Sequence, residues 1–219
     1  MKVKQYSMNN SGWIDISATI SNDMVHWPTD PAVHISRAQS LGVNGAEANV
    51  TKISTTAHVG THIDAPLHFY NGGADVASIS LDRLMGTAKV IHIKDPEKVS
   101  YAEIKDVEIN EGDHVLFRTR NSDVEWEHIP FMDDYAYLAT DAAEYLVGKK
   151  VSSIGIDYLS LGSKENDVDI HRLVLGAPLI IIEGLKLNNI EAGTYDMICL
   201  PLKIKDSDGG PSRVIIRKV

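Results

Sequence analysis

A single cysteine, Cys199, leaves this chain without an internal disulfide and without a four-thiolate zinc site. Basic charge is also scarce. Lys and Arg number 21 against 30 Asp and Glu, a formal net charge of -9, so the basic footprint that holds a phosphate backbone is missing. No apolar run approaches the ~20 residues that cross a bilayer. The start, Met1-Lys2-Val3-Lys4-Gln5, puts no apolar stretch behind its lysines and does not read as a secretory signal. The expectation is therefore a reducing cytoplasm, with neither nucleic acid nor membrane as partner. Repeats, low-complexity tracts and long linkers are lacking as well. The 219 residues are expected to form a frayed N-terminus, 1–12, and one domain, 13–219. At that length roughly 70% of the unfolded surface is buried, and the core needs no staples.

The periodicity is mainly that of strands. Trp13-Ile14-Asp15-Ile16-Ser17 alternates apolar and polar residues, and a loop rich in Asn, Asp and Pro follows it. Residues 88–93, 114–117, 153–156, 179–182, 197–200 and 214–216 are short apolar runs bounded by turn residues, with 179–182 the most apolar and so central. Helices are fewer. Ser100 and Glu103 fit a capping box. Thr140 can cap a second helix that stops before Gly148, and a third runs from Asp169 to Leu175. Strands interleaved with a few helices make an α/β domain with a mixed sheet.

Nine histidines are present, unevenly spread. His58, His62 and His68 share an eleven-residue segment with Asp64, the ligand types that divalent metals take. A continuous helix would set Asp64 about 160° from His62. A flat strand would part His58 from His62 by about 13 Å. Only a bent segment gathers His58, His62 and Asp64 around one point. Gly60 and Pro66 supply the corners, and Val59, Ile63, Ala65 and Leu67 anchor the bend to the core. Any one of these histidines alone would read as a surface or hydrogen-bonded core residue; together they read as a metal site. Glu183 ends the most apolar run, where an unpaired carboxylate is costly. Its bland alternative is a salt bridge to Lys186 or Arg172.

The pattern His58-x-Gly60-Thr61-His62-x-Asp64-x-Pro66-x-His68 resembles the signature of the cyclase family of metal-dependent hydrolases. That family includes bacterial kynurenine formamidase and isatin hydrolase. Trp27-Pro28, Arg118-Thr119, Gly155-Ile156-Asp157, His171, Ile182-Glu183-Gly184-Leu185 and Asp208-Gly209-x-Pro211-x-Arg213 extend the likeness over most of residues 13–217. The resemblance implies a barrel-like central sheet flanked by helices and a homodimer. It implies one or two divalent ions per chain, zinc ahead of manganese. His58, His62 and Asp64 would hold the first ion, and His171 and Glu183 would hold a second bridged by Asp64. His68 corresponds to the family's proton donor and acceptor, and Trp27 to a wall of the substrate pocket.

The chemistry expected is hydrolysis of an amide C–N bond in a small aromatic substrate, as in an arylformamidase. Ring opening of a cyclic amide or lactone, as in isatin hydrolysis, is the alternative, and a purely structural metal is a third reading. Neither a G-x-S-x-G elbow nor a P-loop or G-x-G-x-x-G is present, and Cys199 lies in an apolar run where a thiol is inert. Two departures bear on substrate choice. The pocket loop reads Trp27-Pro28-Thr29-Asp30 where the formamidases have Trp-Pro-Gly-Asp, and Tyr158-Leu159-Ser160 follows the Gly-Ile-Asp stretch.

Overall fold

The computed structural model describes residues 12–177 and 179–219; the expected frayed end, through residue 11, lies outside them. Twelve strands follow one another in these residues: β1 (Trp13–Asp15), β2 (His34–Gln39), β3 (Val50–Ser54), β4 (His62–Asp64), β5 (Met85–His92), β6 (Lys98–Val99), β7 (His114–Arg118), β8 (Tyr137–Leu138), β9 (Ser153–Ile156), β10 (Ile180–Glu183), β11 (Gly193–Pro201) and β12 (Gly209–Lys218). The helices are α1 (Tyr101–Ile104), α2 (Thr140–Lys149) and α3 (Asp167–Gly176).

The main sheet runs β1-β12-β11-β5-β7-β9-β10-β4, and β4 pairs again with β12. That extra pairing closes seven strands into a barrel, with β1 added along the outside of β12. The pairs β5–β7, β7–β9 and β9–β10 are parallel and the rest antiparallel, which makes the mixed, barrel-like sheet expected of the sequence. Among the described residues no helix is long and apolar enough to cross a membrane.

Alternation sorts the strand residues between two cores. Val90, Leu116, Ile180, Ile182, Ile63 and Val214 fill the barrel. Ile91, Val115, Phe117, Ile154, Ile156 and Ile181 face outward, beneath the residues of α1, α2 and α3. Covered on both sides, β7, β9 and β10 are continuous apolar runs rather than alternating ones. Gly155 is the inward exception, because a Cβ there would come within 2.6 Å of Leu116 and 2.8 Å of Leu185.

Several local expectations are corrected. Ser100 makes no side-chain cap to α1, and Glu103 instead accepts from the Lys94 N–H at 3.0 Å. In α2 Thr140 is the first helical residue, Ala139 is the N-cap, and Lys150 closes the helix with φ +56°. Gly148 therefore lies within the helix. The β2–β3 hairpin was not anticipated, since all five residues of β3 are exposed and no buried face marks them.

Candidate metal centre

The bend expected at residues 58–68 is present, and each turn has a local cause. Gly60 takes φ +58°, a left-handed conformation that suits glycine. The Thr61 hydroxyl donates to the Gly184 carbonyl at 2.5 Å and accepts from the Ala18 N–H at 2.7 Å. Next comes β4, and then Pro66 opens a 3-10 turn, Pro66–His68. Val59, Ile63 and Ala65 are buried, while Leu67 is only half-buried.

Strand register decides what faces what. His62 lies opposite Glu183 and Asp64 opposite Ile181 on the neighbouring β10, and directly opposed residues share a face. Ile63 points into the barrel. His62, Asp64 and Glu183 therefore sit on the outer wall, where α3 brings His171 over them. The ring of His58 approaches that of His62 with centroids 5.1 Å apart.

Two of the histidines share one arrangement. His62 Nδ1 lies 3.0 Å from the Gly60 carbonyl, and His171 Nδ1 lies 2.8 Å from the Asp167 carbonyl. A carbonyl only accepts, so each Nδ1 carries the proton and each Nε2 keeps its lone pair. Those lone pairs point at carboxylates. His62 Nε2 is 3.3 Å from Glu183 Oε2 and 3.5 Å from Asp64 Oδ1. His171 Nε2 is 3.2 Å from Glu183 Oε1 and 3.4 Å from Asp64 Oδ2. His58 has Nδ1 at 2.8 Å from Asp64 Oδ1 and Nε2 at 2.9 Å from Asp208 Oδ2. Acceptors facing acceptors in a buried site call for a cation between them. His62 Nε2 and Asp64 Oδ2 are buried without a hydrogen-bond partner, and a ring pinned through its outer nitrogen is the usual setting of a metal-ligating histidine. The residues fit a metal.

Protons meet the same demand when no metal is bound. Burial works against a charged His58, yet the carboxylates of Asp64 and Asp208 raise its pKa to about 10. His171 is raised well above the imidazole range against the same burial penalty, by hydrogen bonds to Asp64 and Glu183. Burial pushes Asp64 up, but the His58 charge and hydrogen bonds from His171 and His58 hold it well below the carboxylate range. His68 moves the other way: burial lowers it, and the His58 and His171 charges add to the effect.

Ligand atoms of His62, Asp64 and Glu183 all lie within 4.8 Å of one another, as do those of His58, Asp64 and His68. Asp64 belongs to both groups. His68 comes to the centre because the 3-10 turn folds it back to stack on His58 with centroids 4.1 Å apart. Neither expected alternative partner claims Glu183. Lys186 pairs with Glu125 and Glu127, and Glu183 accepts from the Leu161 N–H at 2.7 Å.

A cavity of about 220 Å³ opens over this centre, with Trp27, Phe69 and Leu159 as apolar wall and Asp30, Ser160 and Asp167 as polar lining. Trp27 is braced edge-on by Phe131 at 5.3 Å. Thr29 is not among the described residues with positive φ, and the Asp30 N–H closes the turn on the Trp27 carbonyl at 2.9 Å. The absent glycine thus costs this loop nothing.

A family model named Cyclase matches residues 14–163. The chain belongs to the cyclase family. A kynurenine formamidase of Bacillus mycoides is 32% identical over 213 residues, 97% of this chain and 100% of that protein. Cyclase-like protein 1 of Arabidopsis thaliana is 37% identical over 183 residues, 80% of this chain and 72% of its own. Among solved structures, one described as a potential metal-dependent hydrolase with cyclase activity superposes with a TM-score of 0.81 at 33% identity, covering 93% of this chain and 96% of that one. Isatin hydrolase A from Labrenzia aggregata shares the fold, with a TM-score of 0.82 at 21% identity over 94% of this chain and 93% of its own.

Other motifs of the chain serve the scaffold. The buried Asp157 carboxylate accepts from the N–H and hydroxyl of both Thr119 and Ser122, at 2.5–3.1 Å, which ties the ends of β7 and β9 together. Cys199 is buried and its thiol is pushed up to about 12 by burial, which removes it as a nucleophile. One group at the centre entered the sequence reading only as part of the motif of the closing strands, with no role at the site. Asp208 bonds both His58 and His68, yet Asp-Gly between two strand patterns reads simply as a turn.

Proposed function

We propose that this protein is a metal-dependent hydrolase that cleaves an amide C–N bond in a small aromatic substrate, in the manner of an arylformamidase. The observation that carries the reading is the convergence of histidine lone pairs on two buried carboxylates beside an aromatic-walled cavity. His58, His62, Asp64, His171 and Glu183 would hold one or two divalent ions. Zinc suits mixed imidazole and carboxylate ligands, and manganese suits them too. What a divalent ion supplies there is Lewis acidity, which takes the pKa of a coordinated water from 15.7 to about 7 and polarises a carbonyl.

The chain's own groups do the rest. Trp27 and Phe69 offer flat apolar faces to an aryl ring. His68 takes a proton from the attacking water and returns it to the departing nitrogen. A ring whose ordinary pKa is near 6.5 can do both at neutral pH. The kynurenine formamidase relatives, aligned over nearly the whole chain, support the linear amide as substrate. The wider reading, a homodimer in a reducing cytoplasm, comes from the family resemblance and the single buried thiol.

The test is elemental analysis of the purified protein together with hydrolysis of a panel of aryl formamides, cyclic amides and lactones. Metal-dependent turnover of the formamides is expected. Faster ring opening would reassign the substrate, and a metal-replete protein inert toward the whole panel would refute the reading.

A further inference from the structure

We propose that Asp208 is a positioning residue that fixes the tautomers of His58 and His68 together, aiming one ring's lone pair at the metal position and leaving the other ring a free base. The inference rests on the metal-hydrolase reading above. One oxygen serves both rings: Asp208 Oδ2 lies 2.9 Å from His58 Nε2 and 3.2 Å from His68 Nδ1. Stacking makes this possible, since the rings are 28° from parallel with centroids 4.1 Å apart. An ionised carboxylate only accepts, so each ring carries its proton on the nitrogen that faces Asp208.

The two consequences differ. For His58 the nitrogen left to ligate is Nδ1, 2.8 Å from Asp64 Oδ1, where a proton joins the two groups in the metal-free site and a metal ion would take its place. For His68 the lone pair is left on Nε2, in a ring that lines the cavity. Asp208 thus gives neighbouring histidines different duties with one atom.

The turn carrying Asp208 is held in place. Its carbonyl accepts from the Ala65 N–H at 2.9 Å, one residue past Asp64, and the Ser207 carbonyl accepts from the Val76 N–H at 3.0 Å. Gly209 admits the His58 ring, because a Cβ there would lie 2.7 Å from His58 Cε1.

The test compares Asp208→Ala, Asp208→Ser and Asp208→Asn in the full chain, metal-stripped and reloaded. Zinc affinity is read by competition with a chromophoric chelator, and the tautomers by ¹⁵N shifts of the histidine rings. The kcat and KM on an aryl formamide complete the set. The expectation for Ala and Ser is a 10–100-fold loss of zinc affinity, the usual effect of removing a group that orients a ligand, with kcat reduced and KM within about twofold. Asn, an acceptor of the same shape, should restore most of the affinity. Wild-type affinity with unchanged tautomers in Asp208→Ala would overturn the proposal, as would an Asn variant no better than Ala. Neither affinity nor tautomer requires turnover, so a chain that proves inactive on every amide would fail the hydrolase reading while these readouts still decide the role of Asp208.

Discussion

Gly184 packs so tightly against Gly60 that a Cβ on it would stand 2.1 Å from the Gly60 carbonyl oxygen. That oxygen accepts from His62 Nδ1 at 3.0 Å, and both glycines have left-handed φ, +68° and +58°. The end of β10 and the corner of the metal-site bend are therefore one packed unit. Gly184→Ala should lose about 2–5 kcal/mol from overpacking and left-handed strain together, and should lower metal content per chain by displacing His62. Urea unfolding and elemental analysis of the variant read both effects.

Glu183 faces two histidines and one backbone N–H. Glu183→Gln keeps the shape and removes the charge that balances a cation. At a free metal concentration of 100 Kd, binding stabilises a protein by about 2.7 kcal/mol. Wild type should show that gain in thermal melts with and without a chelator, and Glu183→Gln should lose most of it.

His68 makes its polar contact through Asp208 rather than through Glu183 or His171. His68→Ala should keep its metal while kcat falls by roughly 10²–10⁴, the range for loss of a general acid–base group. Turnover of an aryl formamide, set beside metal content per chain, checks it. A fully active variant would remove His68 from the chemistry.

His114 gives a pH dependence at the opposite end of β7 from the site. It is buried with Nδ1 2.7 Å from Ser153 Oγ, and burial, helped by Arg83, lowers its pKa to about 4. The folded state binds this proton less readily than the unfolded state, whose imidazole titrates near 6.5. Stability from this group is therefore full above about pH 6.5 and declines as pH falls toward 4, by at most about 3 kcal/mol. The slope of the urea midpoint over that window should flatten in His114→Gln.

The site was legible where its chemistry is local. His58, His62, Asp64 and His68 declare themselves because neither a straight helix nor a straight strand could gather them, and Gly60 and Pro66 supply the bend. Glu183 stood out as a carboxylate ending an apolar run. The β2–β3 hairpin left no such trace, because exposed strands carry no buried-face alternation. The capping box at Ser100 misled because Glu103 found a better donor in the Lys94 N–H.

Residue types and spacing alone pointed to the cluster of His58, His62, Asp64 and Glu183, to the bend and to the α/β character, since these follow from donor chemistry, backbone sterics and apolar periodicity along the chain; His171 joined the set only through the family resemblance. Closure of the barrel through β4 and β12, the sharing of Asp64 between two ligand groups, and the reach of Asp208 to a histidine 140 positions away were decided only by the folded structure. Strand register and packing set which side chains meet, and both arise between segments far apart in the chain.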